Sequence, residues 1–189
     1  MVEQAVAALR AGEPVILPTD TVYGLCAAPE HAGRLAELKG RPGSMPVALL
    51  CADVERLVEL VPEAAGYEAV LPGPYTLIVP NPIGRLPELG GMETIGVRVP
   101  VLAGEALAVL DRVGAVAATS ANRHGDADSR RLQDVPAEIR RACGAEVDGG
   151  ELPGIPSTVI DVTGPEPRVL RAGAVSAAEA LRRLGGSAE

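Results

Sequence analysis

Residues 14–24 read Pro-Val-Ile-Leu-Pro-Thr-Asp-Thr-Val-Tyr-Gly, an apolar run that turns polar abruptly. Val15, Ile16 and Leu17 show no alternation of apolar and polar positions, so the run reads as a short strand buried on both faces. Thr19-Asp20-Thr21-Val22-Tyr23-Gly24 reads as the loop that leaves it. A strand of that kind needs a layer on each side. The rest of the chain supplies such layers: helices and short strands mix without regular alternation, and several strands are apolar throughout. The expectation is an α+β fold of three layers (α/β/α), a mixed sheet flanked by helices, in one domain over residues 1–189.

Outward from that stretch, residues 3–11 read as a helix stopped by Gly12. Residues 31–39 read as a second helix, with Leu35 and Leu38 on one side and Gly40 at its end. A strand at 47–51 leads to Asp53, which caps a helix carrying Leu57, Val58 and Val61. Further helical stretches are expected at 63–71, 104–112 and 136–142. Strands are expected at 75–79, 93–99, 115–118, 146–148, 158–162 and 169–170. Ser176 with Glu179 forms a capping-box pattern for a last helix, stopping at Gly185 and Gly186.

Composition narrows the function classes. The chain has 189 residues, 47% of them apolar and 22% charged, which suits one continuous core. No apolar run is long enough to span a bilayer, and no basic-then-apolar leader opens the chain. Cys26, Cys51 and Cys143 are widely spaced and odd in number, which fits reduced thiols and a cytoplasmic location. There is no CxxC pair, and His31 and His124 lie at no ligand-like spacing, so no metal ligands are expected. Net charge is −8, and Phe and Trp are missing altogether. Tight autonomous binding of RNA through its phosphates, or stacking on exposed bases, is disfavoured.

One feature is sharper: of 17 basic residues, only Lys39 is lysine. An ammonium is a compact point charge that arginine's planar fork does not reproduce. Either Lys39 is an ordinary solvated lysine at a helix end, or its position has a chemical use. In the second case Lys39→Arg is expected to keep the fold and melting temperature while reducing the reaction.

The phosphate loop GxxxxGK[ST], a GxGxxG after a strand and a GxSxG elbow are all missing. Polar clusters at strand ends remain. Thr19 to Gly24 could read a small polar ligand or form an Asx or ST turn. Lys39-Gly40-Arg41-Pro42 could converge on a triphosphate, or merely place cations at a helix C-terminus. Thr119-Ser120-Ala121-Asn122 could bind phosphate or ribose, or act as a turn. Pro156-Ser157-Thr158 stands before a strand, and Arg171 follows one.

Taken in order, the motifs at 18–24, 39–42, Pro-Gly-Pro-Tyr-Thr at 72–76, Gly-Val-Arg-Val-Pro at 96–100, Ser-Ala-Asn at 120–122, Pro-Ser-Thr-Val-Ile-Asp at 156–161 and Leu-Arg-Ala-Gly at 170–173 are more specific than any one of them. This succession, over residues 11–175, resembles the YrdC/Sua5 family of threonylcarbamoyl-adenylate synthases. The resemblance implies a twisted mixed sheet around a concave, positively charged cavity. It implies that L-threonine, bicarbonate and ATP become threonylcarbamoyl-AMP and diphosphate, the first step of t6A formation in tRNA.

Carried over residue by residue, Lys39 and Arg41 would hold the ATP phosphates as the catalytic pair. Thr94, Ser120, Asn122, Ser129 and Arg171 would also contact ATP. Thr19, Thr21, Tyr23, Arg98, Ala118 and Ser157 would form the threonine site, with Arg98 pairing the carboxylate. Mg2+ would be held mainly by ATP phosphates. The product would pass to a downstream threonylcarbamoyl transferase complex, with tRNA contacted only weakly or indirectly. Some relatives place an Asn and a His where this chain has Met45 and Leu50, so those contacts would be lost or moved to backbone. Asp128 stands at the aligned place of an ATP-contacting serine, beside Ser129. The extra C-terminal domain of longer members is expected to be missing, since the sequence ends at Glu189.

Three rival readings fit less well. Dihydroxybutanone-phosphate synthases need a metal-binding acidic loop, and no run of carboxylates appears. The carbamoyl-adenylate domains of hydrogenase maturation proteins come with acylphosphatase and zinc-finger modules that this sequence lacks. A non-catalytic RNA- or ribosome-binding factor conflicts with the acidic charge and the scarcity of aromatics.

Overall fold

A computed structural model describes residues 1–40 and 46–185. Nine strands form one mixed sheet in the order β7-β1-β2-β6-β3-β5-β4-β8-β9. In chain order they are β1 (Val15–Pro18), β2 (Tyr23–Ala27), β3 (Ala48–Cys51), β4 (Tyr75–Pro80), β5 (Thr94–Arg98), β6 (Ala115–Ser120), β7 (Ala145–Glu146), β8 (Thr158–Asp161) and β9 (Arg168–Arg171). β1 and β2 are buried at every position, as the unbroken apolar run at 15–17 requires. The pairs β1–β7, β3–β5 and β4–β8 are parallel and the others antiparallel, so the sheet is mixed.

Helices α1 (Val2–Arg10), α2 (Gly33–Lys39), α3 (Val54–Leu60), α4 (Gly104–Val113), α5 (Ala137–Arg141) and α6 (Ala177–Arg183) cover the two faces. Alternation along the strands separates two apolar clusters. Val15, Leu17, Cys26, Leu50, Val116 and Ala118 pack with Leu9 of α1 and Val109 and Leu110 of α4. Ile16, Leu25, Leu49, Leu77, Val97 and Ala117 pack instead with Leu35 of α2, Leu57 of α3, Ile139 of α5 and Ala180 of α6. Three layers result, as expected.

Several local expectations hold for local reasons. Asp53 accepts a hydrogen bond from the Arg56 N–H at 2.7 Å and starts α3. Gly40 ends α2 in the left-handed region, φ +61°, where a side chain would be strained. Three expectations are corrected. The loop after β1 ends by residue 22, because Tyr23 and Gly24 already pair with Pro18 and Leu17. The helix expected at 63–71 reduces to a single 3-10 turn at Pro62–Ala64, with Gly66 at φ +90° interrupting any continuation. The capping box at α6 is half formed. Ser176 Oγ accepts from the Glu179 N–H at 3.3 Å, while the Glu179 carboxylate turns to Arg182 and Arg183. Among the described residues, no helix is long and apolar enough to cross a membrane.

Candidate active site

Helices α1 and α4 cover only the β7-β1-β2-β6-β3 side of their face. Beyond them, the same face opens into a cavity of about 340 Å3. Its floor is made by residues whose neighbours in sequence point into the opposite core: Ala48 and Leu50 of β3, Thr76 and Ile78 of β4, Gly96 and Arg98 of β5, and Ala118 and Ser120 of β6. Gly24 and Gly96 also line it and keep the floor low there, since neither carries a side chain. Thr19, Thr94, Asp128, Ser157 and Arg171 complete its polar wall. Leu50 puts an isobutyl group into this floor, so the chain offers apolar surface there rather than an imidazole.

Three of the residues singled out in the sequence, Lys39, Asn122 and Ser129, stand behind this wall and hold it. Lys39 is only 5% exposed. Its ammonium donates to the backbone oxygens of Ser120 at 2.6 Å and Asn122 at 2.7 Å, and to Asn122 Oδ1 at 2.6 Å. An ammonium has three donors, so these three acceptors match it. The His124 N–H returns to the Lys39 carbonyl at 3.2 Å, tying the end of α2 to the turn after β6. Asn122 also donates through Nδ2 to Asp126 O at 2.7 Å and accepts from Ser120 Oγ at 2.7 Å. Ser129, buried, donates to Ala121 O at 2.9 Å and so fixes the loop that brings Asp128 to the cavity. Asp128 is the one carboxylate among the described lining residues.

The first cluster divides in the same way. Thr19 Oγ1 donates to Val22 O at 2.7 Å and accepts from the N–H groups of Thr21 and Val22, which is an ST turn built into the site wall. Thr21 is fully buried, with Oγ1 3.0 Å from Thr19 Oγ1 and 2.9 Å from Arg98 Nη2. Tyr23 turns away from the cavity. Its hydroxyl donates toward Asp148 Oδ1 and Gly150 O, each at 2.9 Å, and accepts from the Gly149 N–H. Burial above all, partly offset by that N–H, pushes the Tyr23 phenol up from its ordinary value.

Arg98 is 7% exposed and reaches the cavity from the end of β5. Burial holds its pKa below the ordinary value, countered by the neighbouring Asp20, whose carboxylate pairs with Nη2. Arg171 sits at the far side, held by Ser157 O at 2.9 Å from Nη2. Ser157 Oγ is 2.8 Å from Thr76 Oγ1. Gly173 secures this corner: a Cβ there would lie 2.2 Å from Pro156 O and 2.6 Å from the Ser157 carbonyl carbon. Two guanidinium groups and one carboxylate thus face the same cavity, beside several hydroxyls. Arg41 lies outside the described residues, as does Met45.

Thr76 was not among the residues assigned from sequence. Its signal is the strand period of two, which sets Thr76 on the face opposite Tyr75 and Leu77, alone as a hydroxyl before Ile78.

The family model Sua5/YciO/YrdC, described as "Telomere recombination", matches residues 7–173. The chain belongs to the Sua5/YciO/YrdC family. Within this family, a threonylcarbamoyl-AMP synthase of Halorhodospira halophila is 35% identical over 167 residues, spanning 82% of this chain and 85% of that protein. The threonylcarbamoyl-AMP synthase of Bacillus subtilis is 34% identical over 187 residues, 93% of this chain and 54% of that protein. The crystal structure of Sua5 of Pyrococcus abyssi complexed with L-threonine superimposes with a TM-score of 0.86 at 33% identity, covering 98% of this chain and 58% of that one. The chain therefore spans little more than half the length of these two longer members of the Sua5/YciO/YrdC family.

Proposed function

We propose that this chain is an L-threonylcarbamoyladenylate synthase, a nucleotidyltransferase that makes threonylcarbamoyl-AMP and diphosphate from L-threonine, bicarbonate and ATP. The supporting observation is the cavity in which Arg98 and the Thr76–Ser157 hydroxyl pair face the Ser120–Asn122 turn held by Lys39. An amino-acid site and a phosphate site then share one floor. Relatives that carry this activity by name align over most of the chain.

The α-carboxylate of threonine takes the Nη1 hydrogens of Arg98, since Asp20 and Thr21 occupy Nη2 and Nε is buried. Ser157, Thr19 and the wall at Ala118 surround the rest of the molecule, with Thr21 acting through Arg98. N-carboxy-threonine forms as the threonine amine attacks the bicarbonate carbon, a C–N bond forming while a C–O bond breaks and its oxygen leaves as water. Its carbamate oxygen attacks the α-phosphorus of ATP, an O–P bond forms, and the bond to the β,γ-diphosphate breaks with its electron pair leaving on diphosphate. No covalent enzyme intermediate is needed. The chain contributes positioning and charge compensation. Ser120, Arg171, Thr94 and Arg41 meet the nucleotide, and Lys39 adds its charge through the turn it holds, with Asn122 and Ser129 shaping that turn.

Among the described residues, no group of three or more His, Cys, Asp or Glu could hold a metal ion. Mg2+ would be carried mainly by the ATP phosphates, with Asp128, the one carboxylate among the described lining residues, able to face it. When bound there, the ion would neutralise phosphate charge. The acidic chain and its cavity of small-molecule size suit release of the adenylate to a separate transferase complex that acts on tRNA in the t6A pathway.

Pyrophosphate release tests the reading. It should need both L-threonine and bicarbonate, and serine should be a poorer substrate. A missing methyl is worth about 1–3 kcal/mol, so discrimination against serine should be moderate. Release that continues undiminished without threonine would sink the proposal.

A further inference from the structure

Asp20 is held more firmly than an exposed loop carboxylate would be. Its side chain is 13% exposed and that of Arg98 is 9% exposed. One oxygen, Oδ1, accepts from Arg98 Nη2, and the other, Oδ2, accepts from the Val101 N–H at 3.1 Å. Nη2 also donates to Thr21 Oγ1 at 2.9 Å, so both of its hydrogens have acceptors. Nε of Arg98 is buried and has no hydrogen-bond partner among the described residues. The guanidinium is thus gripped at one corner only. The grip joins the β1–β2 connection to the segment leaving β5, across 78 positions of sequence.

We infer that Asp20 is a positioning residue for the amino-acid substrate. It pins the Nη2 corner of the Arg98 fork so that the hydrogens of Nη1 keep a fixed direction toward the substrate's α-carboxylate. This rests on the reading of the cavity as an L-threonine site. Asp20 itself does not line the cavity, so it acts on the substrate through Arg98. The direction of the Nη1 hydrogens depends on the orientation of the guanidinium plane, which an unpinned arginine on a long stem does not hold. The pin also compensates charge: without it, Arg98 and the nearby Arg171 repel each other across the cavity.

An opposite role can be stated from the same contacts. If Asp20 merely occupied Arg98 until a substrate carboxylate displaced it, losing its charge would tighten substrate binding. Asp20→Asn separates the two. An amide has one acceptor oxygen, so it can serve Val101 or Arg98 but not both, and its NH2 faces donors.

The experiment is calorimetric titration of the purified full chain with L-threonine, together with KM for threonine, KM for ATP and kcat, for the parent, Asp20→Asn and Asp20→Glu. Asp20→Asn should weaken threonine binding roughly ten- to hundredfold, the scale of a charge-assisted hydrogen bond, while KM for ATP stays within about twofold. Asp20→Glu keeps the charge, shifts the pin by one methylene, and should fall between. It also keeps the test alive should the asparagine variant not fold. Unchanged or tighter threonine binding in both variants overturns the inference. So does an equal loss of threonine and ATP binding, which marks a merely structural pair. A parent chain that does not bind L-threonine at all refutes the threonine reading itself, a different and separable result.

Discussion

Lys39 Nζ lies 2.6 Å from Oδ1 of Asn122 and 2.7 Å from the same residue's backbone oxygen. One buried ammonium therefore fixes both the side chain and the main chain of a residue 83 positions away. The only lysine in the chain sits where three oxygens converge on a point, a geometry that suits an ammonium and not a planar fork.

This relationship corrects the expectation that Lys39→Arg would leave stability untouched. An unsatisfied buried polar group costs about 1–3 kcal/mol. For a chain of this size each kcal/mol lowers the melting temperature by roughly 2–4 °C. Lys39→Arg and Lys39→Ala should therefore both melt below the parent and both lose pyrophosphate release. Thermal melts run beside turnover assays check this, and a Lys39→Arg protein with the parent's melting point would contradict it.

Gly173→Ala should act on the threonine corner without touching a ligand. Its new Cβ would lie 2.2 Å from Pro156 O, so the segment carrying Ser157 must move, and Arg171, which is hydrogen-bonded to Ser157, moves with it. KM for threonine should rise several-fold. A crystal structure or an L-threonine titration of the variant gives the check, and unchanged affinity would show that the corner tolerates the shift.

Asp128 makes a prediction whose sign depends on magnesium. A carboxylate facing a polyphosphate repels it unless a cation lies between them. Asp128→Asn should therefore bind ATP more weakly than the parent in excess Mg2+ and more tightly than the parent in EDTA. Nucleotide titrations under the two conditions decide it. The same change of affinity in both would remove Asp128 from any role toward the ion.

Alkaline pH should destabilise the fold. Burial pushes the Cys26 and Cys51 thiols from 9.0 up to about 12. Folded-state values above the unfolded ones mean that the folded chain retains protons which the unfolded chain gives up. The stabilisation is complete below pH 9 and is lost as pH rises toward 12. Each thiol adds at most about 1.4 kcal/mol of lost stability per pH unit in that window. Buried Tyr23 and Tyr75, whose phenols are also raised, work in the same direction. Urea midpoints at pH 8 and pH 10.5 should differ, and a Cys26→Ala, Cys51→Ala variant should show a smaller difference.

Signals confined to neighbouring residues were readable from the sequence. The buried β1 follows from Val15, Ile16 and Leu17, the start of α3 from Asp53, and the end of α2 from Gly40. β2 was less visible, because Tyr23 and Gly24 become strand only by pairing with β1 and with β6. At 63–71 helix-forming residues mislead: Val70 and Leu71 are buried by tertiary packing rather than by a helical face. The clusters around Thr19, Lys39, Ser120, Ser157 and Arg171 were recognisable as one set. Which of them face the cavity was not, since periodicity says nothing of how Lys39 meets Asn122 or how Asp20 meets Arg98 across long separations.

The sheet order carries a consequence for synthesis. β6 is the seam between β7-β1-β2 on one side and β3-β5-β4-β8-β9 on the other. A ribosome that has released only the residues before Ala115 has delivered a hairpin and a three-stranded patch, each with an open edge awaiting the same missing strand. Such edges recruit other chains. The nascent protein is therefore most exposed to aggregation until the strand that ends in Ser120 emerges, and the turn that Lys39 holds arrives together with the strand that closes the sheet.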